Sequence, residues 1–351
     1  MNSVRSTNFL SGNPTSDKAT ALVEKFLEPN TEQCWLLYNT GSYLAKGMFA
    51  EIEHICVHDL WQDHWECEKS DFSSFHGWNQ EDRFLFPPTH ALLRADKSTE
   101  MNFKAMSQIF SKCAIDTLLI YGENNLGIKG LQKKIGREFS ECECLTVGNN
   151  SRILEVKRPE SLPIQSLSKT VSYHLAAEET VEIQSVPGIF GHGKIDKGTQ
   201  LLLENLPDLA NQKVIDIGCG AGPIAKAALQ LGAKLVSATD SSAIAIEQTE
   251  QNLRDFEEDR LDIFPAFLAG KPAKGPYDVV LTNPPFHQQK ERRLDFPNAW
   301  AKKCSQVLRY KGQLFLVANK FLPYEEALAP HFHFVEVLTE DKEFVVFRAV
   351  K

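Results

Sequence analysis

Val214-Ile215-Asp216-Ile217-Gly218-Cys219-Gly220-Ala221-Gly222 sets the fold class of this chain. The apolar, branched run from Lys213 to Ile217 breaks off in glycines, which reads as a buried strand feeding a tight turn. Gly218, Gly220 and Gly222 let the backbone approach a ligand closely and adopt dihedrals that a side chain would obstruct. The alanine-rich stretch from Pro223 to Leu231 then reads as a helix that opens at the turn. Strand, glycine turn and helix form the unit from which α/β folds are wound, and the turn is a place for a nucleoside cofactor. Alone, such a turn is equally compatible with a purely structural role.

The next strand, Lys234 to Thr239, ends at Asp240, 24 residues after Asp216. An acid there can accept hydrogen bonds from both ribose hydroxyls of NAD or of S-adenosylmethionine, and it can also cap the helix that follows. The order of the glycines favours the second cofactor. Asp216 precedes Gly-x-Gly-x-Gly, whereas the dinucleotide fingerprint is Gly-x-Gly-x-x-Gly without a leading acid. A further apolar run, Tyr277 to Thr282, delivers Asn283-Pro284-Pro285-Phe286 at its carboxyl end, 61 residues after Gly222. The prolines fix the backbone and lack N–H groups, so the Asn283 side-chain oxygen and the Pro284 carbonyl are free to accept from an NH2 group. Two acceptors on one amine direct its lone pair at an electrophilic methyl. Phe286 can lie against a flat substrate, a contact worth about 1–3 kcal/mol for a nucleobase.

These residues resemble a class I S-adenosylmethionine methyltransferase of the Asn-Pro-Pro-aromatic subgroup. Val186 to Phe190, Lys194 to Leu203, His287 and Val317 to Tyr324 are in addition similar to the RsmC family, the bacterial small-subunit (16S) ribosomal RNA guanine-N(2) methyltransferases. The similarity is dense over 184–351 and thin before it. It implies two tandem methyltransferase-like (Rossmann-like) α/β domains, with the catalytic one carboxyl-terminal. It implies S-adenosylmethionine as cofactor and 16S ribosomal RNA within the assembled small subunit as partner, with guanine 1207 as target. On this resemblance Asn283, Pro284, Pro285 and Phe286 are catalytic. Asp216, Gly218, Cys219, Gly220, Gly222 and Asp240 line the cofactor, and the segment carrying Phe190 and Thr199 closes over it. The end of the third strand reads Phe264-Pro265-Ala266-Phe267-Leu268-Ala269, so the adenine would meet apolar and backbone groups. His287 is the nearest titratable group to the amine.

Length favours two domains, with expected bounds of 1–160 for a degenerate, RNA-receiving or structural domain, 161–183 for a linker and 184–351 for the catalytic domain. Strand candidates in the first half are Gln33 to Tyr38 and Thr117 to Tyr121, with a helix over Phe103 to Cys113. Phe86-Pro87-Pro88 stands where that half would need its own Asn-Pro-Pro, and a phenylalanine cannot accept from an amine. The net charge is −8, and residues 1–183 hold 18 basic and 25 acidic side chains against 20 and 21 in 184–351. RNA phosphates therefore need a local patch, for which Lys290, Arg292, Arg293, Lys302 and Lys303 are candidates. The chain has no 18-residue apolar run, and its first 30 residues lack a signal-peptide core, so a cytoplasmic, soluble protein with no membrane partner is expected; a monomer is expected as well. Its eight cysteines show no zinc-like spacing and read as free thiols, with no metal. Competing functions are a protein-glutamine methyltransferase, which usually has tyrosine in place of Phe286, a DNA adenine methyltransferase, and a non-catalytic nucleotide-binding or assembly protein.

Overall fold

The structure, a computed structural model, describes residues 17–351 apart from 60, 69–72, 78–86, 163–167, 177–178, 269, 271, 273 and 286–294. The chain divides into two compact units, residues 1–166 and 167–351.

In the first unit, β1 (Trp35–Tyr38), β2 (His54–His58), β3 (Ser74–His76), β4 (His90–Arg94) and β5 (Thr117–Glu123) run parallel, and the hairpin of β6 (Cys142–Gly148) and β7 (Ser151–Lys157) adds antiparallel to β5. The seven-stranded order is β3-β2-β1-β4-β5-β7-β6. Helices cover both faces, so β1 is apolar and buried throughout. Its alternate side chains point to opposite sides of the sheet. Leu36 and Tyr38 join the core made with α4 (Thr99–Lys112) and α5 (Ile128–Glu138). Trp35 and Leu37 join the core made with α1 (Lys18–Phe26), α2 (Gly41–Lys46) and α3 (Trp61–Glu68), to which Cys56 and Cys67 also belong.

The second unit begins with a hairpin, β8 (Lys169–His174) and β9 (Thr180–Ser185), followed by α6 (Lys197–Leu203). Then come β10 (Lys213–Ile217), α7 (Pro223–Gln230), β11 (Leu235–Asp240), α8 (Ala243–Leu253), β12 (Leu261–Pro265), β13 (Tyr277–Thr282), α9 (Asp295–Val307), β14 (Leu308–Asn319), α10 (Tyr324–Leu328), β15 (Phe334–Glu340) and β16 (Phe344–Val350). Its sheet runs β12-β11-β10-β13-β14-β16-β15. Numbered from the first strand of each seven-stranded sheet, the two orders are the same, so the expectation of two tandem α/β domains is met.

Two readings change. The stretch expected to link the domains holds the β8–β9 hairpin, whose strictly alternating burial in β9 seats Val181 and Ile183 in the second unit. Pro87 and Pro88 lie before β4, at its entry end, and Phe86 lies outside the described residues. What leaves the carboxyl end of β4 is Arg94-Ala95-Asp96-Lys97. The strand counterpart of β13 in the first unit therefore carries no proline-fixed amide.

Candidate active site

Parallel pairing brings the three chemically marked strand ends together. Ile217 of β10 is in register with Thr239 of β11, and Asp216 with Leu281 of β13. The glycine turn, Asp240 and Asn283 thus leave the sheet side by side at its carboxyl edge, where α/β sheets bind ligands. Buried Thr282 ties two of these ends, donating to the Ile217 carbonyl (2.6 Å) and accepting from the Trp300 indole N–H (3.2 Å).

The turn is held from several sides. The Gly218 and Cys219 N–H groups both donate to the Thr239 carbonyl, at 2.8 and 3.0 Å. Gly218 and Gly222 each have φ +82°, and Gly222 precedes α7 as its N-cap. A Cβ on Gly222 would stand 3.1 Å from Thr249, so both conformation and space demand glycine there. From α8, the Thr249 hydroxyl donates to the Gly220 carbonyl (3.0 Å) and the Asn252 amide to that of Ala221 (2.8 Å). Cys219 is buried with Sγ 3.4 Å from the Thr249 hydroxyl, and burial pushes its thiol up. Its side chain packs against α8 within the turn.

Asp240 accepts from the Gly220 N–H (3.0 Å) on one oxygen and from the Ser242 N–H (2.9 Å) on the other. Each carboxylate oxygen has a second lone pair, so a ribose diol can still be accepted. Burial raises its pKa against the lowering effect of the Ser242, Gly220 and Ser241 N–H groups. The cap of α8 itself is Ser242. Asp216 is fully buried below the turn, accepts from the Ala225 N–H of α7 (3.1 Å) and has a buried Oδ1 with no hydrogen-bond partner among the described residues. Desolvation pushes its carboxyl up to about 8. An orphaned acceptor of that kind, beside a turn that leaves backbone approach open, fits the cationic sulfonium cofactor.

Asn283 is the most constrained group of the site. Its Nδ2 donates to Asp196 Oδ1 (2.8 Å) and to the Thr199 hydroxyl (2.9 Å). A carboxylate only accepts, so this partner dictates which end of the amide is the nitrogen. The other end, Oδ1, is buried with no partner among the described residues. Both amide hydrogens are used, and the acceptor is left for an incoming amine. Asp196 and Thr199 come from the start of α6, where Asp196 is the N-cap and accepts from the Thr199 N–H (2.7 Å). Pro284 is buried and Pro285 exposed.

The comparisons with known proteins agree with this geometry. Residues 180–348 match the methyltransferase small domain family. The ribosomal RNA small subunit methyltransferase C of Shewanella halifaxensis is 32% identical over 244 residues, spanning 67% of this chain and 69% of the relative. That of Chromohalobacter salexigens is 33% identical over 242 residues, with 67% and 69% covered. The chain belongs to the ribosomal RNA small subunit methyltransferase C family. It is an S-adenosylmethionine-dependent methyltransferase of small-subunit ribosomal RNA. The fold extends over the whole chain: a T. thermophilus 16S rRNA N2 G1207 methyltransferase (RsmC), solved in complex with AdoMet and guanosine, superposes with a TM-score of 0.82 at 20% identity, covering 95% of this chain and 92% of that one.

Within this methyltransferase C fold the expected residues separate into groups. Asp216, Gly218, Cys219, Gly220, Gly222 and Asp240 form the turn and its acidic partners, while Asn283 and Thr199 share one hydrogen-bond cluster. Phe190 is 55% exposed, and it is the neighbouring Ile189 that packs over the turn, 3.8 Å from where a Gly220 Cβ would stand. Phe286, His287, Lys290, Arg292 and Arg293 lie outside the described residues. Lys302 and Lys303 are on α9. Asp196, Thr249 and Asn252 were not singled out in the sequence. Only Asp196 left a signal there, an Asp-x-x-Thr helix start.

Replacing Asp196 separates its two duties. Asp196→Ser keeps an N-cap for α6 but is too short to hold Asn283. It should lower kcat by about 10–100-fold, as misplacement of a reacting group does, with KM for RNA and the melting temperature nearly unchanged. Asp196→Ala should add about 1 kcal/mol of destabilisation from the lost cap. Steady-state kinetics alongside thermal melts would show the split; equal kcat in Asp196→Ser and the wild type would remove Asp196 from the catalytic arrangement.

Proposed function

We propose that this chain methylates guanine 1207 of 16S ribosomal RNA in the assembled small subunit, acting as a cytoplasmic monomer. The position follows the family. The observation that carries the acceptor chemistry is the partnerless Asn283 Oδ1, fixed by Asp196 and Thr199 at the end of the strand beside the glycine turn. No described helix is long and apolar enough to cross a membrane.

In this reading S-adenosylmethionine supplies the electrophilic methyl. Asp240 accepts from the ribose, Gly218 to Gly222 give the backbone surface, Ile189 and the Phe190 to Thr199 segment cover it, and the Asp216 carboxylate answers the cofactor's positive charge. Asn283 Oδ1 and the Pro284 carbonyl accept from the guanine amine, so its lone pair points at the methyl. Holding the two atoms at about 3–3.5 Å supplies much of the rate. The same acceptors stabilise positive charge as it develops on nitrogen. The proton leaves after transfer, so no strong base is needed. Phe286 stacks on the base.

The first unit is assigned to receiving RNA. Its own carboxyl edge supports that division: Asn39 follows β1 with φ +54°, and Asp59 accepts from the Asn39 amide (2.7 Å) and the Tyr38 hydroxyl (3.1 Å). Side chains latch this edge where the second unit has open glycine backbone.

The test is transfer of labelled methyl from S-adenosylmethionine to small subunits lacking their native modifications, compared with free 16S RNA and followed by nucleoside analysis and position mapping. Label in N(2)-methylguanosine at 1207, in subunits only, is expected. Label at another guanine would overturn the position, and efficient transfer to free RNA would overturn the assembled substrate.

A further inference from the structure

Among the described residues, one group of potential metal ligands converges: Cys56, His58 and Cys67, whose Sγ, imidazole nitrogen and Sγ all lie within 4.8 Å of one another. The sequence conceals it. Cys56 and His58 are alternate residues of β2 and so face the same side of the sheet. Cys67 comes from α3, packed against that side. All three are fully buried, and Cys67 Sγ is 3.3 Å from His58 Nε2. His58 Nδ1 has no partner among the described residues. The nitrogen that faces Cys67 is Nε2, so it is the one placed to ligate an ion together with the sulfurs.

The place in the fold is telling. The Asn39 N–H donates to the Val57 carbonyl (2.9 Å) as the Gly218 N–H donates to that of Thr239 (2.8 Å). With Tyr38 paired to Val57 and Ile217 to Thr239, His58 occupies in the first unit the register position that Asp240 occupies in the second. An imidazole with two thiols has replaced the ribose carboxylate.

We infer that Cys56, His58 and Cys67 form a binding site for a Zn2+ ion in the first unit. Zinc bonds of about 2.3 Å to sulfur and 2.0–2.1 Å to nitrogen at tetrahedral angles place the ligand atoms roughly 3.5–3.8 Å apart, which small side-chain adjustments reach from the present arrangement. Soft sulfur and imidazole donors select zinc-like ions over magnesium or calcium. Binding displaces one proton from each thiol to solvent, leaving Zn2+ with two thiolates and a neutral histidine. That assembly has zero net charge, which is what a buried site tolerates. Asp63, one helical turn before Cys67 on α3, is not among the converging ligand atoms, so the fourth position would be taken by a neutral water. The ion would clip α3 to β2.

The test uses the full chain, purified under reductant and stripped with a chelator. Titration with Co2+ should give thiolate-to-cobalt charge transfer and tetrahedral ligand-field bands that saturate at one equivalent and vanish when Zn2+ is added. Cys56→Ser and Cys67→Ser should each lose the charge-transfer intensity or reduce it by half, whereas Cys113→Ser should keep it. Wild-type-like far-UV circular dichroism and unchanged resistance of the first unit to limited proteolysis report that each variant is folded. If a cysteine variant does not fold, His58→Gln and the Zn2+-dependent rise in the wild-type melting temperature, which that variant should lack, carry the test. Absence of a cobalt band in the reduced wild type, a band unchanged in Cys67→Ser, or a Cys56–Cys67 disulfide in place of bound metal would each overturn the assignment.

Discussion

Asn283→Ala should abolish methyl transfer while leaving S-adenosylmethionine binding close to that of the wild type. The substitution removes the partnerless Oδ1 that would accept from the amine and leaves the Asp196 and Thr199 oxygens without their donor. Loss of an oriented acceptor forfeits about 10²-fold through misplacement of the nucleophile. Loss of the charge stabilisation adds about 10²-fold or more. Because the two losses overlap, a single-turnover rate lower by on the order of 10³ is expected. Asn283→Asp should be equally impaired for a different reason: it brings a second carboxylate against Asp196, and like charges at that separation cannot both ionise. Combining Asn283→Asp with Asp196→Asn restores a donor between the two positions and should recover part of the lost rate. Rapid-quench transfer and calorimetric cofactor binding measure both arms. A single-turnover rate within tenfold of wild type in Asn283→Ala would exclude the amine clamp, and failure of the double variant to exceed either single one would exclude the Asp196 contact.

What the sequence made legible follows from where its information is local. The strands β10 and β13 match their apolar runs residue for residue, Lys213–Ile217 and Tyr277–Thr282, because strands buried on both faces are continuous apolar segments with abrupt ends. The glycine turn and Asp240 were legible for the same reason, each sitting at such an end. The first unit was harder. β3 is three residues long and half-buried, and β4 follows a proline pair, so neither stands out as a strand, and Pro87 and Pro88 precede β4 instead of leaving its carboxyl end. Contacts between distant segments left no trace: Asp196 and Asn283 are 87 residues apart and meet only because α6 packs against β14 and β16 beside β13. The Cys56, His58 and Cys67 group escaped for a related reason. Zinc spacing rules look for two ligands on one tight turn, whereas here strand alternation supplies two and a helix the third.

The same burial that makes the sheet legible gives Asp216 an unusual titration. Its folded carboxyl, pushed up to about 8 by desolvation, lies far above the ordinary 3.8. The folded chain without cofactor therefore keeps a proton that the unfolded chain gives up between about pH 4 and pH 8, and unfolding releases that proton. Stability falls as pH rises through this window, and the loss is complete above the folded value, where both states are ionised. Asp216→Asn has no such group, keeps the size of the side chain and still accepts from the Ala225 N–H. The variant should match the wild type near pH 4 and exceed it increasingly towards pH 8, by on the order of 3–6 kcal/mol. Cofactor binding should move the opposite way. A carboxylate whose second oxygen has no partner among the described residues is the group that answers a sulfonium and an ammonium, so Asp216→Asn should bind S-adenosylmethionine at least about tenfold more weakly, one pKa unit's worth of interaction or more. For the wild type, binding below pH 8 should release a proton, seen as a dependence of the calorimetric heat on buffer ionisation enthalpy and absent in Asp216→Asn. Denaturant melts of the cofactor-free proteins from pH 4 to 9 supply the other half. Parallel stability curves over that range would mean that Asp216 is ionised in the folded chain and that the orphaned oxygen has a partner in solution. Stability rising while affinity falls would instead mark Asp216 as a group kept at the expense of the fold for the cofactor's charge.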